Sequence, residues 1–309
     1  MENLTSSAKW NLLDKKIKGY LRLTRPANLV TSVADVLAGI SIAAFLLLFD
    51  VAPFEAQSIL LLCLSTIGLY GGGVVFNDVF DASLDAVERP ERPIPSGLIS
   101  LREAATLGSI LLVIGIGAAL AVHPLSGLLA VLIAASALIY DKWGKHHSFL
   151  GPLNMGLCRG LNLLLGISIF PGAIAAIWWL GFIPVIYIAS ITMISRGEVH
   201  GGRSSLLWVA AGLYSVVIGG ILYFAWASGH LLQTLPFLAF FAWMIFRPLS
   251  VAIGDPVGKN IGKAVKAGVI ALILMNAGWA AAFGNLYAAL FITLLLPLSL
   301  WLARIFAVT

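Results

Sequence analysis

Charged side chains are scarce in this sequence. Asp, Glu, Lys and Arg make up 11% of its 309 residues, against 60% hydrophobic ones, whereas a soluble domain carries roughly 25% charge. An ordinary water-soluble domain is thereby excluded. Cysteine is nearly absent. Cys63 and Cys158 both fall inside apolar runs, without the spacing of a zinc site or a redox pair, so they read as small packing residues. No nucleic-acid-binding motif occurs, and the net charge of +5 needs another source. A secretory signal peptide is not expected either, because about 25 polar and basic residues precede the first apolar run.

What is abundant is apolar sequence of membrane-spanning length. Ten spans are expected, at 27–49, 57–79, 102–122, 124–141, 150–170, 173–195, 205–228, 231–250, 265–283 and 286–306. Gly284-Asn285 is so short a connector that nine remains the alternative count. Membrane helices satisfy their own backbone groups, so the expected fold is an all-α, polytopic helical bundle. It forms one transmembrane domain over 27–309 behind an N-terminal segment, 1–26. Lys and Arg gather before the first span and after the even-numbered ones. Asp50, Glu55, His123, His230 and Asn285 occupy the other side with no Lys or Arg. The positive-inside rule then puts the basic loops and both termini in the cytoplasm, and the net charge reflects topology.

Against this poverty of charge, Asn77-Asp78-Val79-Phe80-Asp81-Ala82-Ser83-Leu84-Asp85 stands out. If the second span continues through it, Asp78, Asp81 and Asp85 fall at i, i+3 and i+7, on one helical face. Three carboxylates that close repel and call for a cation among them; Mg²⁺ is the natural candidate because it takes carboxylate and phosphate oxygen. A solvated acidic helix end is the plain alternative. The following Glu88-Arg89-Pro90-Glu91-Arg92-Pro93-Ile94-Pro95-Ser96-Gly97 breaks the helix, and Arg89 and Arg92 can reach back to the aspartates or to a phosphate. Further polar clusters follow the fourth span (Tyr140 to His147) and the sixth (Ser195 to Ser204). Carboxylates beside cations at the mouth of an apolar bundle suit a ligand with an anionic head and an apolar tail, as a polyprenyl diphosphate has.

Gly71-Gly72-Gly73 either kinks the second span or lets a neighbour approach closely. Asp35 and Arg159 lie deep in the first and fifth spans, where charges are costly and are usually paired, so they are expected to pair across the bundle near Asn28 and Asn162. That pair is either purely structural or lies beside a polar acceptor. His146, His147 and His200 lack the spacing of metal ligands and read as loop residues.

The chain resembles the UbiA superfamily of intramembrane prenyltransferases. Asn77, Asp78, Asp81 and Asp85 match the family signature N-D-x-x-D-x-x-x-D. Arg92-Pro93-Ile94-Pro95-Ser96-Gly97-Leu98-Ile99-Ser100 is similar to its R-P-x-P-x-G-x-I-S tail. Arg25-Pro26-Ala27-Asn28 looks like the start of the family's first helix, and Tyr140 with Lys145, then Leu150-Gly151, resembles its Y-x-x-x-x-K…L-G stretch. The resemblance implies two four-helix halves plus C-terminal helices in a membrane. It implies Mg²⁺ on Asp78, Asp81 and Asp85, which with Glu198 form the catalytic set. A polyprenyl diphosphate donor and a small aromatic or other acceptor would be held by Asn77, Arg25, Asn28, Arg89, Arg92, Lys145, Arg159 and Arg196. Phe76, Tyr140 and Trp143 are the aromatics that would face an allylic cation.

The chain departs from the family at the second acidic motif, D-x-x-x-D. Glu198 stands for its last acid, but Ile194 occupies the position of the first, with Thr192 and Ser195 as neutral oxygen donors. Arg196 offers to replace the second metal as a diphosphate clamp, since guanidinium binds phosphate bidentately. This degenerate motif is similar to that of the EboC-like branch from bacterial metabolite clusters, which implies a bacterial inner membrane. The alternative function is a non-catalytic lipid- or metabolite-binding, or export-associated, membrane protein. Beyond membrane lipids no partner is indicated, no nucleic acid is expected, and the sequence leaves oligomeric state open.

Overall fold

The computed structural model describes residues 6–47, 54–147, 149–198 and 201–306, and among these there is no strand. Asp50 and His200 lie outside the described residues. Helix α1 (Ser6–Thr24) leads into α2 (Pro26–Leu46), α3 (Ala56–Phe80) and the short α4 (Ala82–Glu88). Then come α5 (Leu101–Val122), α6 (Pro124–Lys142), a 3-10 turn (Gly144–His146) and α7 (Leu150–Ile167). A broken pair, α8 (Pro171–Ile177) and α9 (Phe182–Ser195), flanks a second 3-10 turn (Trp178–Gly181). The chain ends with α10 (Ser204–Ala227), α11 (Leu231–Gly254), α12 (Gly258–Ala282) and α13 (Leu286–Ile305).

Proline starts several helices where no N–H partner is needed: Pro26, Pro124 and Pro171 stand at the first positions of α2, α6 and α8. Helix α5 opens on a capping box. Ser100 Oγ accepts from the Glu103 N–H, and Glu103 Oε2 accepts from the Ser100 N–H at 2.8 Å. Glu103 also takes a 2.8 Å ion pair from Lys16, which ties α1 to the bundle, and Leu23 of α1 is buried with Val75 and Ile99.

Among the described residues, nine segments are long and apolar enough to cross a membrane. This is a multi-pass membrane protein. Each of the ten expected spans has its helix, and the odd one is α7. It carries Asn154, Arg159 and Asn162 in only 18 residues. Its polarity is turned inward: Arg159 and Asn162 are buried, while Leu150, Leu153 and Leu157 are exposed. That is the reverse of a soluble amphipathic helix, and it suits a lipid surround.

Two apolar cores flank this seam. One, around Tyr187, Phe241 and Trp279, is built from α2, α7 and the helices after it. The other, around Leu62, Leu112 and Ile133, is built from α2, α3, α5, α6 and α7. Helices α2 and α7 serve both and touch through backbone. A Cβ on Gly39 would stand 2.3 Å from the Leu163 carbonyl oxygen, and one on Gly166 would stand 2.2 Å from that of Val36. Gly39→Ala is therefore expected to cost about 1–3 kcal/mol through overpacking. Thermal unfolding in detergent reads this, and an unchanged midpoint would show that the seam can open without loss. The run Gly71-Gly72-Gly73 leaves α3 unbroken. It serves close approach instead, since a Cβ on Gly72 would lie 2.9 Å from the Gly108 carbonyl oxygen of α5.

Candidate active site

Helix α3 ends at Phe80 and α4 begins at Ala82, so the acidic motif bends at the single residue Asp81. The backbone bonds Asp81 N–H to Asn77 O (3.0 Å) and Asp85 N–H to Asp81 O (2.8 Å) keep the helical spacing through that bend. Asp78 and Asp85 are buried and converge. One nitrogen of Arg92, Nη1, lies 2.7 Å from Asp85 Oδ2 and 3.3 Å from Asp78 Oδ1. Arg25 Nη2 donates to the same Asp78 oxygen at 3.0 Å. Asp81 turns away to an ion pair with Lys145. Of the three carboxylates expected around one cation, Asp78 and Asp85 share a cationic nitrogen while Asp81 pairs separately. No group of three or more metal-ligating side chains forms among the described residues, and three protein cations neutralise the three aspartates.

These cations are held by specific backbone. Arg25 has φ +47°, a left-handed conformation that costs a non-glycine residue about 1–3 kcal/mol, and it immediately precedes Pro26. Arg92 sits in the proline-rich turn, closed by the Ile99 N–H to Pro93 O bond at 3.0 Å and by Gly97 at φ +73°.

Two adjoining chambers open beside the motif. The larger, about 430 Å³, is bordered by Asp81, Asp85, Arg89 and Arg92 on one side and by Thr192, Ser195 and Glu198 on the other. Asn28 and apolar Val265, Val269 and Leu272 complete it. The smaller, about 200 Å³, runs among α3, α6 and α7 past Leu69, Val74, Ile133 and Ala137. Arg25, Tyr70, Asn77, Tyr140, Met155 and Arg159 line both.

The remnant of the second motif thus faces the first. Burial pushes the Glu198 carboxyl above the usual range, and Arg89 pulls it partly back. The hydroxyls of Thr192 and Ser195 are spent on their own helix, donating to the Ile188 and Thr192 carbonyl oxygens, each at 2.9 Å. Arg89 makes no ion pair among the described residues and stays available to an anion. Arg196 lies away from the place where a diphosphate clamp is expected. It is exposed, borders neither chamber, and donates to the His147 carbonyl oxygen at 2.6 Å, so it braces the turn after α6. Nor do all the expected aromatics face the cavity. Phe76 packs on Gly108 and Phe80, and Trp143 is exposed under Lys142; only Tyr140 lines the chambers.

The deep charges form the expected pair. Arg159 Nη1 lies 2.8 Å from Asp35 Oδ2, and its Nη2 donates to Thr31 Oγ1 at 2.8 Å. Asn162 and Asn276 donate to the two Asp35 oxygens at 3.1 and 2.7 Å, and Thr66 Oγ1 donates to Asn162 Oδ1 at 2.7 Å. The Tyr70 ring covers the Arg159 guanidinium, 4.9 Å from its centroid.

This arrangement of helices and facing motifs agrees with the match of residues 37–258 to the model of the UbiA prenyltransferase family, more than half of the chain. The chain belongs to the UbiA prenyltransferase family. A digeranylgeranylglyceryl phosphate synthase of Ignicoccus hospitalis is 35% identical over 189 residues, 60% of this chain and 59% of that protein. The chain thus matches somewhat over half the length of this curated relative. The UbiA fold is shared with the apo structure of a UbiA homolog from Aeropyrum pernix (TM-score 0.65, 18% identity, 81% of this chain and 96% of that one). It is shared as well with a UbiA homolog from Archaeoglobus fulgidus bound to GPP and Mg²⁺ (TM-score 0.58, 17% identity, 87% and 99%). All three relatives are archaeal, which lends no support to the bacterial setting that the EboC-like resemblance implied.

Sequence reasoning missed two residues that the UbiA cavity brings forward. Tyr70, on the face of α3 that also carries Asn77, looked like any span aromatic. Asp141 looked like a loop charge, although an acid placed at the end of an apolar helix beside Tyr140 was the available signal.

Proposed function

We propose that the protein transfers a prenyl group from a prenyl diphosphate to a small hydroxyl-bearing acceptor of the glyceryl phosphate kind, within the membrane. The observation that carries this reading is the balanced cluster of Asp78, Asp81 and Asp85 with Arg25, Arg92 and Lys145 at the entrance to the two chambers. A nearly neutral cluster gains an incoming diphosphate only together with positive charge. Asp78 and Asp85 already share one cationic nitrogen, and their all-oxygen donor set fits Mg²⁺. They would hold the ion once Arg92 withdraws; the metal's contribution is to neutralise the charge that develops on the leaving diphosphate. Arg89, Arg92 and Arg25 then present guanidinium groups to the diphosphate oxygens. Tyr70 and Tyr140 offer ring faces to the allylic carbon, while the apolar wall of the smaller chamber takes the isoprene chain and keeps out water.

The test is diphosphate release from geranyl diphosphate by purified protein in lipid nanodiscs, with glycerol phosphate as acceptor. Release that requires both Mg²⁺ and the acceptor is expected. Tight donor binding with no release across a broad acceptor panel would favour the second reading, a binding protein without turnover. The specific observation behind that reading is the reduction of the second motif to Glu198, with the Thr192 and Ser195 hydroxyls turned back onto their helix.

A further inference from the structure

Prenyl transfer to an un-ionised hydroxyl leaves one proton to dispose of, and the aspartate cluster has no free group for it, while Glu88 and Glu198 border the larger chamber alone. Asp78, Asp81 and Asp85 are committed to cations. The smaller chamber presents guanidinium groups from Arg25 and Arg159, amides from Asn77 and Asn162, the hydroxyls of Tyr70, Tyr140 and Thr66, and the thiol of Cys158. None of these is a ready proton acceptor near neutral pH. One carboxylate lines that chamber: Asp141, in the last turn of α6. It is 5% exposed, and no arginine or lysine pairs with it among the described residues. Its Oδ1 accepts from Asn77 Nδ2 at 2.9 Å. That bond orients the carboxylate, which lines the smaller chamber, from Asn77, the first residue of the acidic motif and part of the wall that both chambers share.

The geometry points to Asp141 as the general base that takes the proton of the acceptor hydroxyl. The inference rests on the prenyl-transfer reading and adds a residue and a step to it. The bond between the allylic carbon and the diphosphate oxygen breaks, and its electron pair leaves with the diphosphate. A lone pair of the acceptor oxygen forms the new carbon–oxygen bond. The O–H bond breaks towards Asp141, which ends the cycle as a carboxylic acid and returns its proton to solvent. Asn77 is a positioning residue in this scheme, because its amide holds the Asp141 carboxylate.

The test uses Asp141→Asn in the full chain, with geranyl diphosphate, Mg²⁺ and hydroxyl acceptors running from glycerol phosphate to fluorinated alcohols and nitrophenol. A positioned base contributes roughly 10²–10⁴-fold, so transfer to glycerol phosphate should fall by at least about a hundredfold. Donor affinity should stay within a factor of about two of the native value, and the deficit should shrink steadily as the acceptor hydroxyl becomes more acidic. A purely structural role would lower transfer equally for every acceptor, and that result would overturn the assignment. So would native activity in Asp141→Asn. Should Asp141→Asn unfold, Asp141→Glu retains a carboxylate: it should keep transfer, with the same steep preference for acidic acceptors if the base is displaced. Loss of that variant's transfer without any such preference would count against the proposal. A native protein that binds donor but releases no diphosphate would overturn the underlying reading as well, an outcome distinct from failure of Asp141 alone.

Discussion

Exchanging Asp78 and Asp85 together for asparagine will lower Mg²⁺-dependent diphosphate release by about a thousandfold or more. Preorganised groups aimed at developing charge are individually worth about 10²–10³ in rate, and these two carboxylates are the pair that share one cation position. The variant carries a second signature. Asparagine keeps the size and an oxygen at each position but removes two negative charges, leaving Arg25 and Arg92 without their counter-ions. The site becomes positive, so geranyl diphosphate should bind more tightly in the absence of Mg²⁺ while turnover is lost. Equilibrium binding with and without the metal, set beside the rate of diphosphate release, separates the two effects. Activity surviving at a tenth of the native rate would take the metal away from these carboxylates.

Breaking the deep ion pair should do the greatest damage to stability. Asp35 and Arg159 are 1% and 7% exposed, and removing one partner from such a pair costs about 3–5 kcal/mol because the other is left as an uncompensated buried charge. Asp35→Asn and Arg159→Gln should each lower the unfolding midpoint sharply in detergent. Asn162 and Asn276 also lose a charged acceptor in the first variant. The double variant should recover part of the loss, because its amides can hydrogen-bond to each other without any charge to neutralise. Single variants with native midpoints, or a double variant as damaged as the sum of the two, would mean that the pair contributes little.

The fold was largely legible because hydropathy in a membrane is a direct readout of length and burial. Helices stand at all ten expected spans, the sixth as the broken pair α8 and α9. The difference between nine and ten falls at α7 rather than at Gly284-Asn285. Its apolarity is diluted by Asn154, Arg159 and Asn162, and the partners of Arg159 and Asn162 lie far away in sequence and give no local sign. At the site, spacing along α3 and α4 identified the aspartates but not what they face. Lys145 and Arg92 reach them from loops, and a loop's path depends on prolines and on Gly97 in ways that periodicity does not encode. Arg196 was misplaced for the same reason. Its position suggested a clamp, yet its side chain turns to the His147 carbonyl oxygen outside the cavity. Asp141 escaped notice because its importance comes from the enclosure made by α3, α6 and α7.

The inward polarity of α7 also bears on how the chain enters the membrane. An arginine near the middle of a lone helix costs about 2.5–3.5 kcal/mol at the insertion machinery, and α7 has little apolar surplus to offset it. Its counter-charge, Asp35, belongs to α2 and is synthesised 124 positions earlier. Stable partitioning of α7 therefore depends on the counter-charge that α2 supplies. A truncated chain starting after α2 would leave Arg159 of α7 without that counter-charge.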